Sequence, residues 1–340
     1  MKIKKILLIG SGNIGLRHLS IVCQLLPKAT IKVMHHKNIH NKFNKNYESI
    51  KNLGDALKFS PNLIIISNPT SRHVETALKF TDINSKIFIE KPLSNNLTNI
   101  DKLVRIWRKE KLFISIGYNL RYLPSLIYFK KIIEKNSMGK LYHFYSSVGY
   151  FLPDWRKNKD YRTTVSASKR LGGGVLLELS HEIDYIRWIF GEINSIYSKI
   201  RKQSNLKINV EDTCKLIVEM KSTKRNKKVI GILSMDFLRK DKNRQCTLIA
   251  EKGTIKWDGN LGTVDLYDAK NHRWKNLFQN HNELDISYVN QWKDIIKRIN
   301  GHKDPKIDIF DGIKTLEIID SARLSNSKNK EIKIKHRYKQ

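Results

Sequence analysis

Apolar residues in the first third of the chain gather into short runs at residues 6–9, 31–34, 62–67 and 86–89, and the stretches between follow a different rhythm. After the first run, Ile14, Leu19, Val22, Leu25 and Leu26 recur at helical spacing, and residues 71–80 and 97–110 also read as helical. Short apolar runs separated by helical segments predict parallel strands, buried on both faces and joined by right-handed crossovers. A further short strand at 113–117 closes this doubly wound part near residue 120.

Beyond that point strands dominate, at 141–150, 193–201, 212–220, 229–237 and 245–251, with little helix between the last four. Within 212–220, Cys214, Leu216, Val218 and Met220 fall on one face. The pattern predicts a largely antiparallel or mixed sheet with one open face, in an α+β domain over 121–330. Residues 221–228 read as a charged hairpin turn and 325–340 as basic, with 331–340 set apart as a tail. No internal repeat is present. The fold class expected is α/β: a doubly wound parallel sheet over 1–120 followed by the α+β domain.

At 340 residues the chain is long enough for about two domains with their own cores. The basic, apolar start at residues 1–9 mimics a signal peptide, but its apolar part is too short and runs into a glycine-rich turn. No apolar run approaches the roughly 18 to 20 residues needed to span a bilayer. A cytoplasmic protein with no membrane partner is expected. Cys23, Cys214 and Cys246 are far apart and form no C-x-x-C pair, so they read as reduced, buried thiols. The formal net charge of +32 invites a nucleic-acid partner. Yet the lysines are scattered along every segment with abundant Asn and Ile, and no helix-turn-helix or RNP-type strand accompanies them. A solvated basic surface is expected, with no specific nucleic-acid partner.

Candidate chemistry begins where the first strand stops, at Gly10-Ser11-Gly12-Asn13-Ile14-Gly15. This G-x-G-x-x-G run between strand and helix is a dinucleotide fingerprint. Gly10 permits the tight turn, Gly12 lets the backbone approach a pyrophosphate, and Gly15 lets helix and strand pack closely. Gly10, Gly12, Asn13, Ile14 and Gly15 are therefore candidate cofactor contacts. Asn68-Pro69-Thr70-Ser71-Arg72-His73 ends the third predicted strand and Glu90-Lys91-Pro92 the fourth. Ligands of open parallel sheets sit at the carboxyl ends of strands, so Asn68, Pro69, Thr70, His73, Glu90 and Lys91 border the same crevice. An isolated E-K-P could be a surface turn, but at a strand end it makes Lys91 a candidate functional lysine.

Further on, Gly172-Gly173-Gly174 precedes a predicted helix in which Leu176, Leu179, Ile183, Ile186 and Phe190 recur at helical spacing before Gly191. Glu178, His181 and Asp184 stand at i, i+3 and i+6 beside that stripe. Histidine, with an unperturbed pKa of about 6.5, suits acid/base work near neutrality. Taken alone, His181 fits an ordinary core or surface histidine better. Glu178 with His181 could also be two metal ligands, but no third is evident and no metal is expected.

These motifs, in this order, together with Gly117-Tyr118-Asn119-Leu120-Arg121-Tyr122 and residues 308–322, resemble the glucose-fructose oxidoreductase and inositol dehydrogenase family (Gfo/Idh/MocA) over nearly the whole chain. The resemblance implies a Rossmann domain, an open-faced C-terminal sheet, assembly into two or four copies, and NAD(P)-dependent oxidation or reduction of a sugar-like secondary alcohol. It implies that Lys91 contacts both cofactor and reacting hydroxyl, and that His181 is the acid/base. Glu178 stands near where many relatives have Asp, a departure that keeps the carboxylate but changes its reach. In such a reaction His181 would take the hydroxyl proton while Lys91 stabilises negative charge on the oxygen.

Substrate and cofactor are less defined. Aromatic and basic residues, among them Trp155, Arg156 and Arg162, precede the glycine run and suit a sugar carrying a carboxylate or phosphates. This stretch resembles relatives associated with surface-polysaccharide sugar biosynthesis, although a chain this basic places arginines in any loop. With Lys91, Asn119, Arg121 and Asp184 from the family-like motifs, they form the candidate substrate set. At the end of the second strand, where an NAD site usually offers Asp or Glu, stand His35-His36-Lys37. His36 and Lys37 could accept a 2'-phosphate, which tilts the choice towards NADP, while the family also binds NAD without the acid. Two other readings stay open: a catalytically silent NAD(P)-binding sensor, and a nucleic-acid-binding protein on the same scaffold.

Overall fold

In the computed structural model, residues 3–34, 47–155, 159–223, 228–281 and 283–338 are described. The chain divides into two units, Met1–Tyr118 with Tyr288–Leu316, and Asn119–Ser287 with Glu317–Gln340. The first is built on six parallel strands: β1 (Lys5–Ile9), β2 (Thr30–Met34), β3 (Glu48–Ile50), β4 (Leu63–Ile66), β5 (Lys86–Ile89) and β6 (Ile114–Ile116). Their order is β3-β2-β1-β4-β5-β6, so the winding reverses between β1 and β4. Helices α1 (Asn13–Leu25), α2 (Leu53–Phe59), α3 (His73–Leu78) and α4 (Ile100–Glu110) supply the connections. The apolar runs form strands because both faces of this sheet are covered; every residue of β4 is buried. Strand β3 escapes the sequence pattern because only Ile50 of its three residues is buried.

The second unit carries a nine-stranded sheet. Its strands are β7 (Leu141–Gly149), β8 (Ile193–Arg201), β9 (Thr213–Met220), β10 (Ile230–Asp236), β11 (Asn243–Ala250), β12 (Gly253–Asp258), β13 (Thr263–Asp268), β14 (Arg273–Gln279) and β15 (Ile332–Lys333). They lie in the order β14-β13-β12-β11-β7-β10-β9-β8-β15. Within this sheet, only the β7–β10 pair is parallel among the described strands. Cys214, Leu216, Val218 and Met220 are all buried, as the alternation in β9 predicts, while Lys215 and Ile217 face outward. Helices α5 (Pro124–Glu134), α6 (Val175–Glu178) and α7 (His181–Phe190) belong to this unit. Phe190 of α7 stacks on Phe144 of β7 with ring centroids 4.3 Å apart. The Tyr185 hydroxyl meets that of Ser146 at 2.6 Å.

Two expectations are corrected. Residues 288–316 join the first unit rather than a continuous second domain. Helix α8 (Glu283–Asn300) buries Trp292, Ile295 and Ile299 in one cluster with Ile6, Leu8, Leu19, Val22 and Ile65, and nothing local in an amphipathic helix says which core it will join. The basic tail is also built in: residues 325–328 finish α9 (Ile309–Lys328), and β15 pairs with β8. Ile334 is buried, and the Arg337 amide donates to Glu317 Oε1 at 2.8 Å. Two isoleucines among lysines are too short an alternation to outweigh the charge in a sequence reading. Among the described residues no helix is long and apolar enough to cross a membrane.

Candidate active site

The carboxyl ends of the central strands are in register: Ile9 pairs with Ile66, and Ile66 with Ile89. The glycine loop, the Asn68 loop and the Glu90 loop therefore start side by side. Gly10 has φ +97°, and a β-carbon there would lie 2.4 Å from the Asn68 nitrogen. A β-carbon on Gly15 would stand 2.1 Å from the Gly10 carbonyl oxygen, so the helix approaches the turn as closely as only glycine allows. The Ser67 hydroxyl braces the turn by donating to that carbonyl at 2.8 Å.

Gly12 is different, because nothing lies within 4 Å of where its side chain would begin. It caps α1 without any side-chain hydrogen bond, and Leu16 is the residue whose N–H returns to the Gly12 carbonyl. The earlier amides of the turn, Asn13, Ile14 and Gly15, thus lie at an open helix start that fits a pyrophosphate, with the helix dipole adding to the attraction.

His73 ties the neighbouring loops together. Its Nδ1 faces the Pro92 carbonyl and its Nε2 the Asn68 carbonyl, both at 2.9 Å. A neutral imidazole has one N–H and can donate to only one of them. Burial holds its pKa below the ordinary histidine value, against the opposing pull of the two carbonyls and Glu90. The Asn68 amide donates to Thr76 Oγ1 at 2.8 Å, and the buried Thr70 opens the turn that leads into α3. Lys91 is half-buried, and its backbone amide donates to Glu90 Oε2 at 3.0 Å.

In the second unit the predicted continuous helix is broken. Helix α6 ends at Glu178 and α7 starts at His181, with the Ser180 amide returning to the Leu177 carbonyl at 3.3 Å. The α-helical ladder is interrupted between Glu178 and His181, because the Ser180 and Glu182 amides return to carbonyls three residues back rather than four. His181 is buried at the first position of α7, and Glu178 is half-buried. Arg121 and Asp184, expected at the substrate, grip each other: Nε donates to Oδ2 at 2.9 Å and Nη2 to Oδ1 at 2.6 Å, both side chains being buried. Asn119 likewise spends its amide on Ser287 Oγ at 2.7 Å. The Trp155 ring N–H donates to the Tyr150 carbonyl at 3.2 Å, and Arg162 pairs on the surface with Asp160. His36, Lys37 and Arg156 lie outside the described residues.

Sequence reading missed several polar groups of both units. In the first unit, His18 reaches Glu90 and receives the Trp292 ring N–H; the signal available was His18 on the buried face of α1, three residues beyond Gly15. In the second, Glu211 receives the Leu176 amide at 3.2 Å at the start of α6, and burial raises its pKa. The buried Glu182 accepts from Arg244 at 2.8 Å. The last two pairs are 35 and 62 residues apart in sequence, and no local pattern announces them.

A glycine loop at the switch point of a parallel sheet, in a chain that also carries an open-faced sheet, defines the class of two-unit nicotinamide-dependent oxidoreductases. The model of an oxidoreductase family with an NAD-binding Rossmann fold matches residues 4–118, and that of the GFO/IDH/MocA C-terminal domain matches residues 127–256. The chain belongs to the GFO/IDH/MocA family. It is 22% identical to myo-inositol 2-dehydrogenase of Thermotoga maritima over 80% of this chain and 79% of that protein. It is 24% identical to glucose-6-phosphate 3-dehydrogenase of Bacillus subtilis over 79% and 78% of the two chains. The WlbA dehydrogenase of Bordetella pertussis, solved with NADH and UDP-GlcNAcA, has a similar fold, with a TM-score of 0.82 and 18% identity over 98% of this chain and 99% of that one.

Proposed function

We propose that the protein transfers a hydride between NAD(P) and a secondary alcohol or ketone of a sugar, sugar acid or nucleotide sugar. The observation that carries this reading is the in-register edge formed by β1, β4 and β5, where an open glycine loop and the loop that bears Lys91 stand on either side of the Asn68 loop. Bound nicotinamide would supply the hydride acceptor or donor. Gly12 and the amides after it would hold the pyrophosphate. Lys91 would stabilise negative charge on the reacting oxygen, and His181 would take the hydroxyl proton or return it. Glu178 would act through His181. Arg121, Asp184 and Asn119 are assigned to holding the second unit's machinery in place, since their polar atoms engage protein partners.

Two named relatives act on a polyol and a sugar phosphate, and the WlbA complex holds an acidic nucleotide sugar. A panel of myo-inositol, glucose 6-phosphate and UDP-GlcNAcA, each with NAD+ and NADP+, should show reduction of nicotinamide with one sugar class. No turnover with any of them in either direction, from a folded protein that binds NADH, would count against the reading.

Two finer points belong to the same proposal. Ile217, Ile232 and Tyr145 are adjacent across β9, β10 and β7, and 37–48% exposed. We infer that two or four copies associate through this apolar face. Sedimentation should show the assembly, and Ile217→Lys with Ile232→Lys should dissociate it; a monomeric wild type would refute the point. A cytoplasmic location is supported by three free cysteines, two of them buried, and cell fractionation tests it.

A further inference from the structure

Glu90 sits at the end of a buried polar chain that the reaction itself does not call for. Trp292 on α8 donates its ring N–H to Nδ1 of His18 at 2.9 Å. An indole nitrogen can only donate, so Nδ1 must be the acceptor and the imidazole proton must lie on Nε2. That nitrogen is 2.6 Å from Glu90 Oε1, while Glu90 Oε2 accepts the Lys91 backbone amide at 3.0 Å. His18 is fully buried, its ring lies edge-on to Phe88 and Trp292, and a flipped ring would turn carbon rather than nitrogen towards both polar partners. On the far side Gly117 leaves space for the carboxylate: a β-carbon there would be 3.0 Å from Glu90 Oε1.

We propose that His18, held by Trp292 in its neutral Nε2–H tautomer, is a positioning residue that orients Glu90 and, through Glu90, sets Lys91. With Nδ1 accepting from the indole, Nε2–H donates to Glu90 Oε1, and this hydrogen bond fixes the carboxyl group beside the loop that carries the lysine. The tautomer matters because the opposite one would put a lone pair against the carboxylate and an N–H against the indole N–H. The proposal rests on Lys91 being the functional lysine, so its test must not depend on turnover.

The experiment compares wild type with His18→Leu, His18→Gln and Trp292→Phe. In 15N-histidine-labelled protein at neutral pH, His18 should show the Nε2–H pattern, and Trp292→Phe should convert it to a mixture of tautomers. Labelling by acetic anhydride, read by mass spectrometry against the other lysines, should be at least threefold faster at the Lys91 amine in His18→Leu and in Trp292→Phe, because the loop loses its anchor. His18→Gln should restore the wild-type rate, since an amide can donate to Glu90 and accept from Trp292. An Nδ1–H pattern in wild type, unchanged Lys91 labelling in Trp292→Phe, or a Gln variant that behaves as Leu does would each overturn the proposal. Trp292→Phe keeps the result decisive if His18→Leu does not fold. Lys91 labelling in the expected order, in a protein whose Lys91→Met variant retains turnover, would leave this inference standing and overturn the role given to Lys91.

Discussion

Arg121 and Asp184 form a two-pronged ion pair, 63 residues apart in sequence, with both side chains buried. It anchors α7, the helix that opens with His181, to the turn at Asn119–Tyr122. Removing one partner strands a buried charge, so Arg121→Met or Asp184→Leu alone should cost about 3–5 kcal/mol. The double variant should be more stable than either single one, because no charge is then left unpaired. Denaturant unfolding of the three variants checks this, and additive losses would mean that the pair is not a coupled unit.

The glycine loop makes a contrast that needs no substrate. Gly12 has ordinary extended backbone angles and open space around it, so Gly12→Ala should leave stability unchanged while weakening NAD(P)H binding at least tenfold. Gly15→Ala should instead destabilise the fold by about 1–3 kcal/mol, since its β-carbon meets backbone that cannot move aside. Calorimetric titration and thermal melts separate the two effects. A Gly12→Ala protein with unaltered affinity would place the pyrophosphate elsewhere.

Buried His73 predicts a pH dependence of stability. Its folded pKa is lowered, with burial the largest cause, so below about pH 6.5 the unfolded chain takes up a proton that the folded protein resists. Stability should therefore fall as pH drops from about 7.5 towards 5.5, by at most ~1.4 kcal/mol per pH unit from this group. His73→Gln keeps one amide donor and removes the titration, so its acid-side fall should be shallower than that of wild type in urea melts. Parallel curves would show that His73 is not the group responsible.

For the chemistry, His181→Asn and Lys91→Met should each lower turnover roughly 100-fold or more once a substrate is in hand. NADH affinity should survive His181→Asn and weaken modestly in Lys91→Met. The two losses should combine less than additively if both groups act in one transition state. Near-wild-type turnover in folded His181→Asn would remove it as the acid/base and turn attention to Tyr118.

Local periodicities, and the elements they dictate, are legible in the order of the residues. Buried parallel strands read as continuous apolar runs, the open sheet as an alternation in β9, and the cofactor loop as glycines at the one junction where a backbone must turn, approach and pack. Those features depend on neighbours within a few residues, so the pattern carries them. Where long-range polar partners meet is fixed by the folded chain alone. That Arg121 and Asp184 are buried and paired is not legible in the sequence, because exposed, unpaired charges and buried, paired ones have the same letters. The break between α6 and α7 was hidden for a similar reason: Leu179 continues the apolar spacing across it. The same holds for α8, whose amphipathic face fits either core, and for His18, whose tautomer is set by an indole 274 residues away. Packing chooses among such partners through burial and hydrogen-bond satisfaction, neither of which exists until the chain has folded.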